Sequence, residues 1–157
     1  MKNILVTGGS GKAGRATIKL LLKKNYNVFN VDLINHPDLK VPFTKVDLEN
    51  FGEAMESVSE IDDRINGIDA VIHQAAIPAS GLVANHKTFR TNTLSTYNIF
   101  QASNVMKINN IVWASSETVL GLPFDNYPPY VPVDEEYDPR PESSYSLSKV
   151  MGEEMAR

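Results

Sequence analysis

Two side chains near the C-terminal end of the chain could together move a proton. Tyr145 and Lys149 are four residues apart in a segment with a helical pattern, so both side chains should project from one face of the helix. The pKa of a tyrosine is ordinarily near 10, and lowering it by about three units requires roughly 4 kcal/mol of preference for the phenolate. An adjacent ammonium group supplies part of that preference, which predicts acid or base chemistry here.

Two serines add hydroxyl groups to this candidate site. Ser115 and Ser116 close a strand-like run, and the carboxyl edge of a parallel sheet is where α/β proteins bind ligands. A Tyr-Lys pair at this spacing is a weak motif by itself. Combined with a serine hydroxyl, it indicates proton transfer to or from a bound substrate.

A second candidate site lies near the N-terminus. Residues 8–14 contain four of the nine glycines, directly after an apolar run and directly before a helical pattern. A strand that turns into a helix presents unpaired backbone N–H groups and a positive dipole end, which favour an anion. Gly8 would permit the tight turn, Gly11 the approach of a pyrophosphate, and Gly14 close packing of the helix on its strand. The alternative is a merely flexible turn, since the spacing is G-x-x-G-x-x-G.

The position of Asp32 bears on whether a bound dinucleotide would be NAD or NADP. Asp32 ends the second strand-like run, eighteen residues after Gly14, where a carboxylate would accept hydrogen bonds from the adenosine ribose and repel a 2'-phosphate. This position predicts NAD, although Asp32 could simply cap a loop. Lys12 and Arg15 could hold a phosphate or be solvated. Asp47 could accept from the adenine amino group or cap the following helix.

Alternating elements must position these residues. The strand-like segments cover residues 3–7, 27–31, 43–47, 70–73 and 111–114, and the helical patterns cover 12–24, 51–58, 83–106 and 143–157. This alternation predicts a Rossmann-type, doubly wound parallel α/β sheet with strand order 3-2-1-4-5 and a ligand crevice beside strands 1 and 4. Residues 117–142 hold six of the nine prolines, so little helix is expected there; we interpret this loop as a partly ordered cover over the site.

Composition limits the class of protein. The 157 residues, 42% of them hydrophobic, fit one soluble domain, residues 1–157. The net charge of -4 predicts neither a nucleic-acid surface nor attraction to an anionic membrane. The chain has no cysteine, which excludes disulfides, and no apolar segment long enough for a signal peptide or a membrane span. A cytoplasmic location is therefore expected.

Together these residues resemble the extended branch of the short-chain dehydrogenase/reductase superfamily, the group of NAD-dependent sugar epimerases and dehydratases. The resemblance spans nearly the whole chain. It rests on residues 7–14, Asp32, Asp47-Leu48, His73-Gln74-Ala75-Ala76, residues 92–96, residues 115–119 and residues 145–149.

The resemblance implies an enzyme with Tyr145 as general acid or base, Lys149 on the nicotinamide ribose, and Ser116 bonded to the reacting hydroxyl or carbonyl. Hydride would pass to or from the nicotinamide C4. Asn92 would help anchor the middle of the site. A lone histidine is more often a satisfied polar group, so His73 is not expected to be catalytic. The implied cofactor contacts are Gly8, Gly11, Lys12, Ala13, Gly14, Asp32, Asp47, Leu48, Ala75, Ala76, Asn92 and Lys149.

The reaction type can be narrowed. Dehydratases of this family carry consecutive Asp and Glu directly after the catalytic hydroxyl residue that corresponds to Ser116. This chain has Glu117 and Thr118 at those two positions. Elimination of water needs two groups to remove and deliver protons, so epimerisation or oxidation of a sugar, nucleotide sugar or sugar acid is favoured. The alternative from another class is a non-catalytic NAD(P) sensor or scaffold.

Length and surface give two further expectations. Family members are about twice as long, so we interpret the chain as a fragment that ends before a sixth strand and a substrate lobe. It should bind NAD weakly and turn over little or no substrate. A homodimer is expected because the family pairs its fourth and fifth helices. Leu147, Val150, Met151 and Met155 could join that interface, or, as we favour, belong to the intramolecular core.

Overall fold

The structure is a computed structural model that describes residues 1–59 and 67–157. The chain divides into two compact units. The first contains Met1–Ala76 and Leu94–Ala114, and the second contains Ile77–Thr93 and Ser115–Arg157.

The elements alternate as the sequence predicts. In the described residues the strands are β1 (Asn3–Thr7), β2 (Asn27–Asp32), β3 (Phe43–Lys45), β4 (Ala70–His73) and β5 (Ile111–Trp113). The α-helices are α1 (Lys12–Lys23), α2 (Phe51–Ser59), α3 (Asn85–Val105) and α4 (Ser144–Met155). Most predicted boundaries agree within two residues. The third strand ends at Lys45, two residues early, because Asp47 starts the turn before α2.

The first unit contains a five-stranded parallel sheet in the order β3-β2-β1-β4-β5, which confirms the predicted topology. In the register of β1, Thr7 pairs with Val31 of β2 and with His73 of β4. A central strand of a parallel sheet is covered on both faces, and this explains the unbroken apolar run Ile4-Leu5-Val6.

Side chains of β1 alternate between two cores of the first unit. Leu5 packs on one face with Val31, Val71 and Ile99. Ile4 and Val6 pack on the other face with residues that include Ile18 of α1, Val28 and Leu39. Because alternate residues of a strand point to opposite faces, one short strand anchors both layers.

The second unit consists of the start of α3, a 3-10 helix at Glu117–Leu120, a long loop and α4. The predicted scarcity of helix in residues 117–142 is correct apart from that short turn. The loop is held internally, since the Arg140 N–H donates to the Val119 carbonyl at 2.8 Å and the buried Tyr137 hydroxyl donates to the Leu120 carbonyl at 3.1 Å.

Residues 1–59 and 67–157 lack two features that would limit the protein's location or chemistry. No helix in these ranges combines the length and the apolar character needed to cross a membrane. The same residues contain no group of three or more histidine or acidic side chains that could hold a metal ion.

Candidate functional site

The turn after β1 has a backbone that only glycine fits. Gly8 has a φ of +69°, and a Cβ at this position would lie 2.6 Å from the backbone nitrogen of Ala75. A Cβ on Gly14 would lie 2.3 Å from the Gly8 carbonyl oxygen. The turn is closed by the Gly11 N–H, which donates to the same carbonyl at 3.1 Å. These contacts produce the tight turn and the close helix packing that the glycine spacing predicts.

The outer side of this turn is open. A Cβ on Gly11 would have one neighbour within 4 Å, the Gly8 carbonyl oxygen at 3.2 Å. Gly11 is also the N-cap of α1, and no side chain caps the first helical turn. Lys12 and Ala13, which begin α1, are exposed. Uncapped N–H groups at the positive end of a helix form a cradle for an anion, so these residues fit the pyrophosphate of a dinucleotide.

Asp32 lies at the end of β2, next to this turn. Its Oδ2 accepts from the Ser10 N–H at 3.0 Å, and its Oδ1 accepts from the Leu33 N–H at 2.7 Å. A carboxylate oxygen can accept more than one hydrogen bond, so the half-buried group can still accept from a ribose hydroxyl. The loop-capping alternative and the ribose-binding hypothesis are therefore compatible.

The other candidate cofactor residues of the first unit are in varied surroundings. The Asp47 carboxylate accepts from the Glu49 N–H at 3.0 Å, so it caps the turn before α2. Leu48 is buried, and its carbonyl accepts from Asn98 at 2.8 Å. The Ala75 N–H donates to Thr7 Oγ1 at 3.2 Å, and Ala76 is the last residue of the unit's first chain segment.

Arg15 and His73 have polar partners within the first unit. Arg15 contacts the imidazole of His36, so it is paired within the first unit. His73 is fully buried, with its Nδ1 2.6 Å from Thr7 Oγ1 and its Nε2 3.4 Å from Thr96 Oγ1. The environment of His73 is that of a satisfied polar group, in agreement with the non-catalytic interpretation.

In the second unit, Ser116 lies where the chain enters the 3-10 helix. Its Oγ accepts from the Thr118 N–H at 3.2 Å and from the Thr118 hydroxyl at 3.0 Å, and donates to Glu117 Oε2 at 3.3 Å. The bond from the Thr118 N–H makes Ser116 the N-cap of that helix, and the Thr118 hydroxyl adds a second bond. They fix the hydroxyl in one place, as a group that must meet a substrate requires.

Tyr145 and Lys149 lie on α4. This helix begins with a capping box, in which Ser143 Oγ accepts from the Ser146 N–H and Ser146 Oγ accepts from the Ser143 N–H. The Lys149 Nζ lies 5.7 Å from the centre of the Tyr145 ring. Lys149 is only 4% exposed, and burial lowers its pKa from 10.5 to about 8.

Ser116 and Tyr145 line one cavity of the second unit, with a volume of about 540 Å³. Its remaining lining residues are Pro78, Ala79, Ser80, Ser115, Glu117, Thr118, Leu122, Pro123, Asp125, Glu142, Ser143 and Ser146. Leu122, Pro123 and Asp125 come from the proline-rich loop. Among the residues that the structure describes, this lining contains three carboxylates and no lysine, arginine or histidine. Its size suits a small-molecule ligand.

Asn92 connects the start of the second unit to α4. Its Oδ1 accepts from the Ile77 N–H at 2.8 Å, and its Nδ2 donates to the Ile77 carbonyl at 3.1 Å and to Ser148 Oγ at 3.3 Å. The buried amide thus clamps the backbone of Ile77. The role that the family resemblance implies for Asn92, anchoring the middle of the site, stays a prediction.

Sequence reasoning missed two residues beside these groups. Asn30 is a buried amide in β2 whose Nδ2 donates to Ser10 Oγ, and a polar residue inside an apolar strand could have marked it. Glu153 lies on α4, one turn after Lys149, and accepts from the Ser115 hydroxyl at 2.5 Å. Its four-residue spacing from Lys149 was the available signal.

The structure therefore brings the candidate residues together in two sets. The first unit contains Asp32, Asp47, Leu48, Ala75, Ala76 and residues 8–14, which we call the glycine turn. The second contains Ser116, Tyr145, Lys149 and Asn92. A parallel sheet in this strand order, with a glycine turn after β1, defines a Rossmann-type nucleotide-binding fold.

Comparison with known proteins gives the family. Residues 4–157 match the model of the NAD dependent epimerase/dehydratase family, and the chain belongs to that family. A putative UDP-glucose 4-epimerase of Methanocaldococcus jannaschii is 35% identical in an alignment of 160 positions that covers 96% of this chain and 48% of that protein. The chain spans about half the length of the curated relatives it matches.

Solved structures agree with this assignment. The UDP-glucose 4-epimerase from Brucella ovis, in complex with NAD, superimposes with a TM-score of 0.84 at 25% identity, over 99% of this chain and 46% of that one. The uronate dehydrogenase from Agrobacterium tumefaciens superimposes with a TM-score of 0.81 at 25% identity, over 99% of this chain and 55% of that one.

Proposed function

We propose that this chain is the NAD-binding part of an epimerase or dehydrogenase that acts on a sugar-type substrate by hydride transfer, with residues 1–157 as its Rossmann domain. One observation carries the proposal. Tyr145 and Ser116 line the same cavity, and the buried Lys149 ammonium lies 5.7 Å from the tyrosine ring. These are the groups that proton transfer coupled to hydride transfer requires.

Each set contains residues that we propose as NAD contacts. The N–H groups at the start of α1 would bind the pyrophosphate, with Gly8, Gly11 and Gly14 allowing its approach. Asp32 would accept from the adenosine ribose and disfavour NADP by charge repulsion. The remaining proposed contacts are Lys12, Ala13, Asp47, Leu48, Ala75, Ala76, Asn92 and Lys149. When bound, the nicotinamide ring would accept or return a hydride.

The proposed catalytic residues divide the proton chemistry among them. Tyr145 would take the proton from a substrate hydroxyl, or return it to a carbonyl, as general base or acid. Lys149 has a pKa near 8, so it is mostly charged at neutral pH and would stabilise the phenolate. Ser116, fixed by its two bonds from Thr118, would hydrogen-bond the reacting oxygen.

The cavity favours some substrates over others. Thr118 stands where dehydratases carry a second acidic residue, which favours epimerisation or oxidation over dehydration. The lining carboxylates Glu117, Asp125 and Glu142 would repel a negatively charged sugar ring. A neutral sugar or the neutral ring of a nucleotide sugar therefore fits better than a sugar acid.

We also propose a homodimer in which α4 takes part. Leu147 and Met151 are one turn apart on α4 and are 42% and 40% exposed. Two large apolar side chains on one helix face give a surface that a second copy could cover. Sedimentation equilibrium tests this, with Leu147→Glu expected to yield monomers.

Two measurements test the enzymatic proposal. Calorimetric titration should show that the 157-residue chain binds NAD, more tightly than NADP. Turnover is assayed with UDP-glucose, UDP-galactose and glucuronate, and we expect it to be weak because the relatives are about twice as long. Tyr145→Phe should change NAD affinity by less than about two-fold and should lower the rate of any turnover at least about 100-fold.

The alternative, a non-catalytic NAD(P) sensor or scaffold, makes a different prediction. A sensor would bind NAD and lack turnover with every sugar, in the chain with and without the Phe substitution. NAD binding without any Tyr145-dependent turnover would favour that alternative.

A further inference from the structure

Asn30 is a polar side chain in a strand that is otherwise built for burial. It lies in β2 between half-buried Phe29 and buried Val31, and it is 1% exposed. Burying an amide costs free energy unless its groups find hydrogen-bond partners. Its partners therefore indicate what the residue does.

The Asn30 amide faces the turn between β1 and α1. Its Nδ2 donates to Ser10 Oγ at 3.1 Å. Its Oδ1 is buried and has no hydrogen-bond partner in the described residues. A Cβ on Gly9 would lie 2.2 Å from that oxygen, so the Gly9 Cα is directly against it. The amide oxygen thus receives a Cα–H group, a weak contact, while its nitrogen holds the serine.

Three consecutive residues of β2 hold three consecutive residues of the turn. The Gly8 N–H donates to the Val31 carbonyl at 3.0 Å. Gly9 lies on Asn30, and Ser10 is held twice, through its hydroxyl by Asn30 and through its N–H by Asp32 at 3.0 Å. Residues 30–32 thus fix the turn immediately before the open N–H groups of α1.

We propose that Asn30 is a positioning residue for the diphosphate group of the cofactor. It acts through Ser10 and holds the turn in the one conformation in which the first N–H groups of α1 point at the anion together. This inference rests on the proposed binding of NAD. Preorganisation matters here because a loop that must be ordered on binding reduces the affinity by the free energy of that ordering.

The test uses the 157-residue chain and three ligands: NAD, ADP and adenosine. Asn30→Ala and Ser10→Ala should each weaken NAD and ADP binding about five-fold, the effect of one hydrogen bond of ordinary strength, and leave adenosine affinity within two-fold. The double variant should be no weaker than either single variant, because both remove the same contact. Asn27→Ala is the matched control: it removes an exposed β2 amide bonded to Asn3 at 3.0 Å, and should change none of the three affinities.

The same variants give a readout without any ligand. Hydrogen exchange at the Ser10 N–H should be about five-fold faster in Asn30→Ala than in the wild type or in Asn27→Ala. If Asn30→Ala does not fold, both measurements are made on Ser10→Ala. This variant should fold, because it removes only one half-buried hydroxyl group.

The outcomes separate this inference from the proposed function. A wild-type chain that binds neither NAD nor ADP would overturn the proposed function, and the Ser10 exchange rate would then decide the positioning role alone. Unchanged exchange and affinities in both variants would overturn the role of Asn30. An equal loss for adenosine and ADP would also overturn it, since that pattern indicates general damage.

Discussion

The glycine turn of the first unit and the hydroxyl groups of the second unit achieve fixed geometry in opposite ways. At Gly8 and Gly14 of the turn, close backbone packing excludes a side chain: a Cβ would lie 2.6 Å from the Ala75 nitrogen or 2.3 Å from the Gly8 carbonyl oxygen. In the second unit, geometry comes from side chains that are held, as Ser116 is by Thr118. Fold and function therefore coincide at Gly8 and Gly14, whereas in the second unit they can be separated by substitution.

The largest expected effect comes from breaking the glycine turn. Gly14→Ala should lower the free energy of unfolding by about 3 kcal/mol or more, because the new methyl group would overlap backbone atoms that cannot move away. Gly52→Ala on α2 is the control and should stay within about 1 kcal/mol of the wild type. Chemical denaturation measures both.

Gly11→Ala sharpens the comparison within the same turn. Its Cβ would meet one backbone oxygen at 3.2 Å and otherwise face the open side. We expect the free energy of unfolding of this variant to stay within about 1 kcal/mol of the wild-type value. Its NAD affinity should be at least about ten-fold weaker, because the methyl group would occupy the space through which the pyrophosphate approaches. Full NAD affinity in this variant would contradict the proposed phosphate position.

In the second unit, the charged ammonium of Lys149, which the proposed chemistry needs, should lower the stability of the fold. Its lowered pKa corresponds to a stability cost of roughly 3 kcal/mol, fully present below pH 8, where the side chain is charged in both folded and unfolded states. Between pH 8 and 10.5 the unfolded state binds more protons, so the cost disappears as the pH rises.

The variant Lys149→Met tests this sign. It should be more stable than the wild type at pH 7, by up to roughly 3 kcal/mol, and the difference should vanish above pH 10.5. Denaturant unfolding at several pH values measures it. A variant that is less stable at pH 7 would show that contacts of the ammonium outweigh its desolvation.

A smaller effect is expected where Glu153 meets Ser115. A double-mutant cycle of Glu153→Ala and Ser115→Ala should give a coupling free energy of about 1 kcal/mol, the value of one partly exposed hydrogen bond. Glu154→Ala is the control, because its pair with Arg157 is exposed and should contribute less than about 0.5 kcal/mol. Zero coupling would mean that Glu153 does not hold the segment containing Ser116.

Local patterns predict the topology well. The apolar run of β1, the glycine spacing and the alternation of strands and helices gave the parallel order β3-β2-β1-β4-β5, because each pattern reports burial within a few neighbouring residues. The end of β3 was misplaced because the carboxylate of Asp47 favours a turn over a strand.

Contacts between distant parts of the chain could not be predicted in the same way. Asn30 meets Ser10 across 20 residues, and Ser115 meets Glu153 across 38. Whether two polar groups meet depends on strand register and helix rotation, which no local pattern records. The division of the chain into two units is also a tertiary property, since it cuts α3 between Thr93 and Leu94.

The central claim is that the N–H groups at the start of α1 bind the diphosphate of NAD. Its most direct test is an NMR titration of the isotopically labelled 157-residue chain with NAD, in which the backbone amide resonances are followed. We expect the largest saturable shifts at Lys12, Ala13 and Gly14, whose N–H groups begin α1, with the same residues responding to ADP and much less to adenosine. Saturable binding of NAD that leaves these amide resonances unmoved would contradict the account.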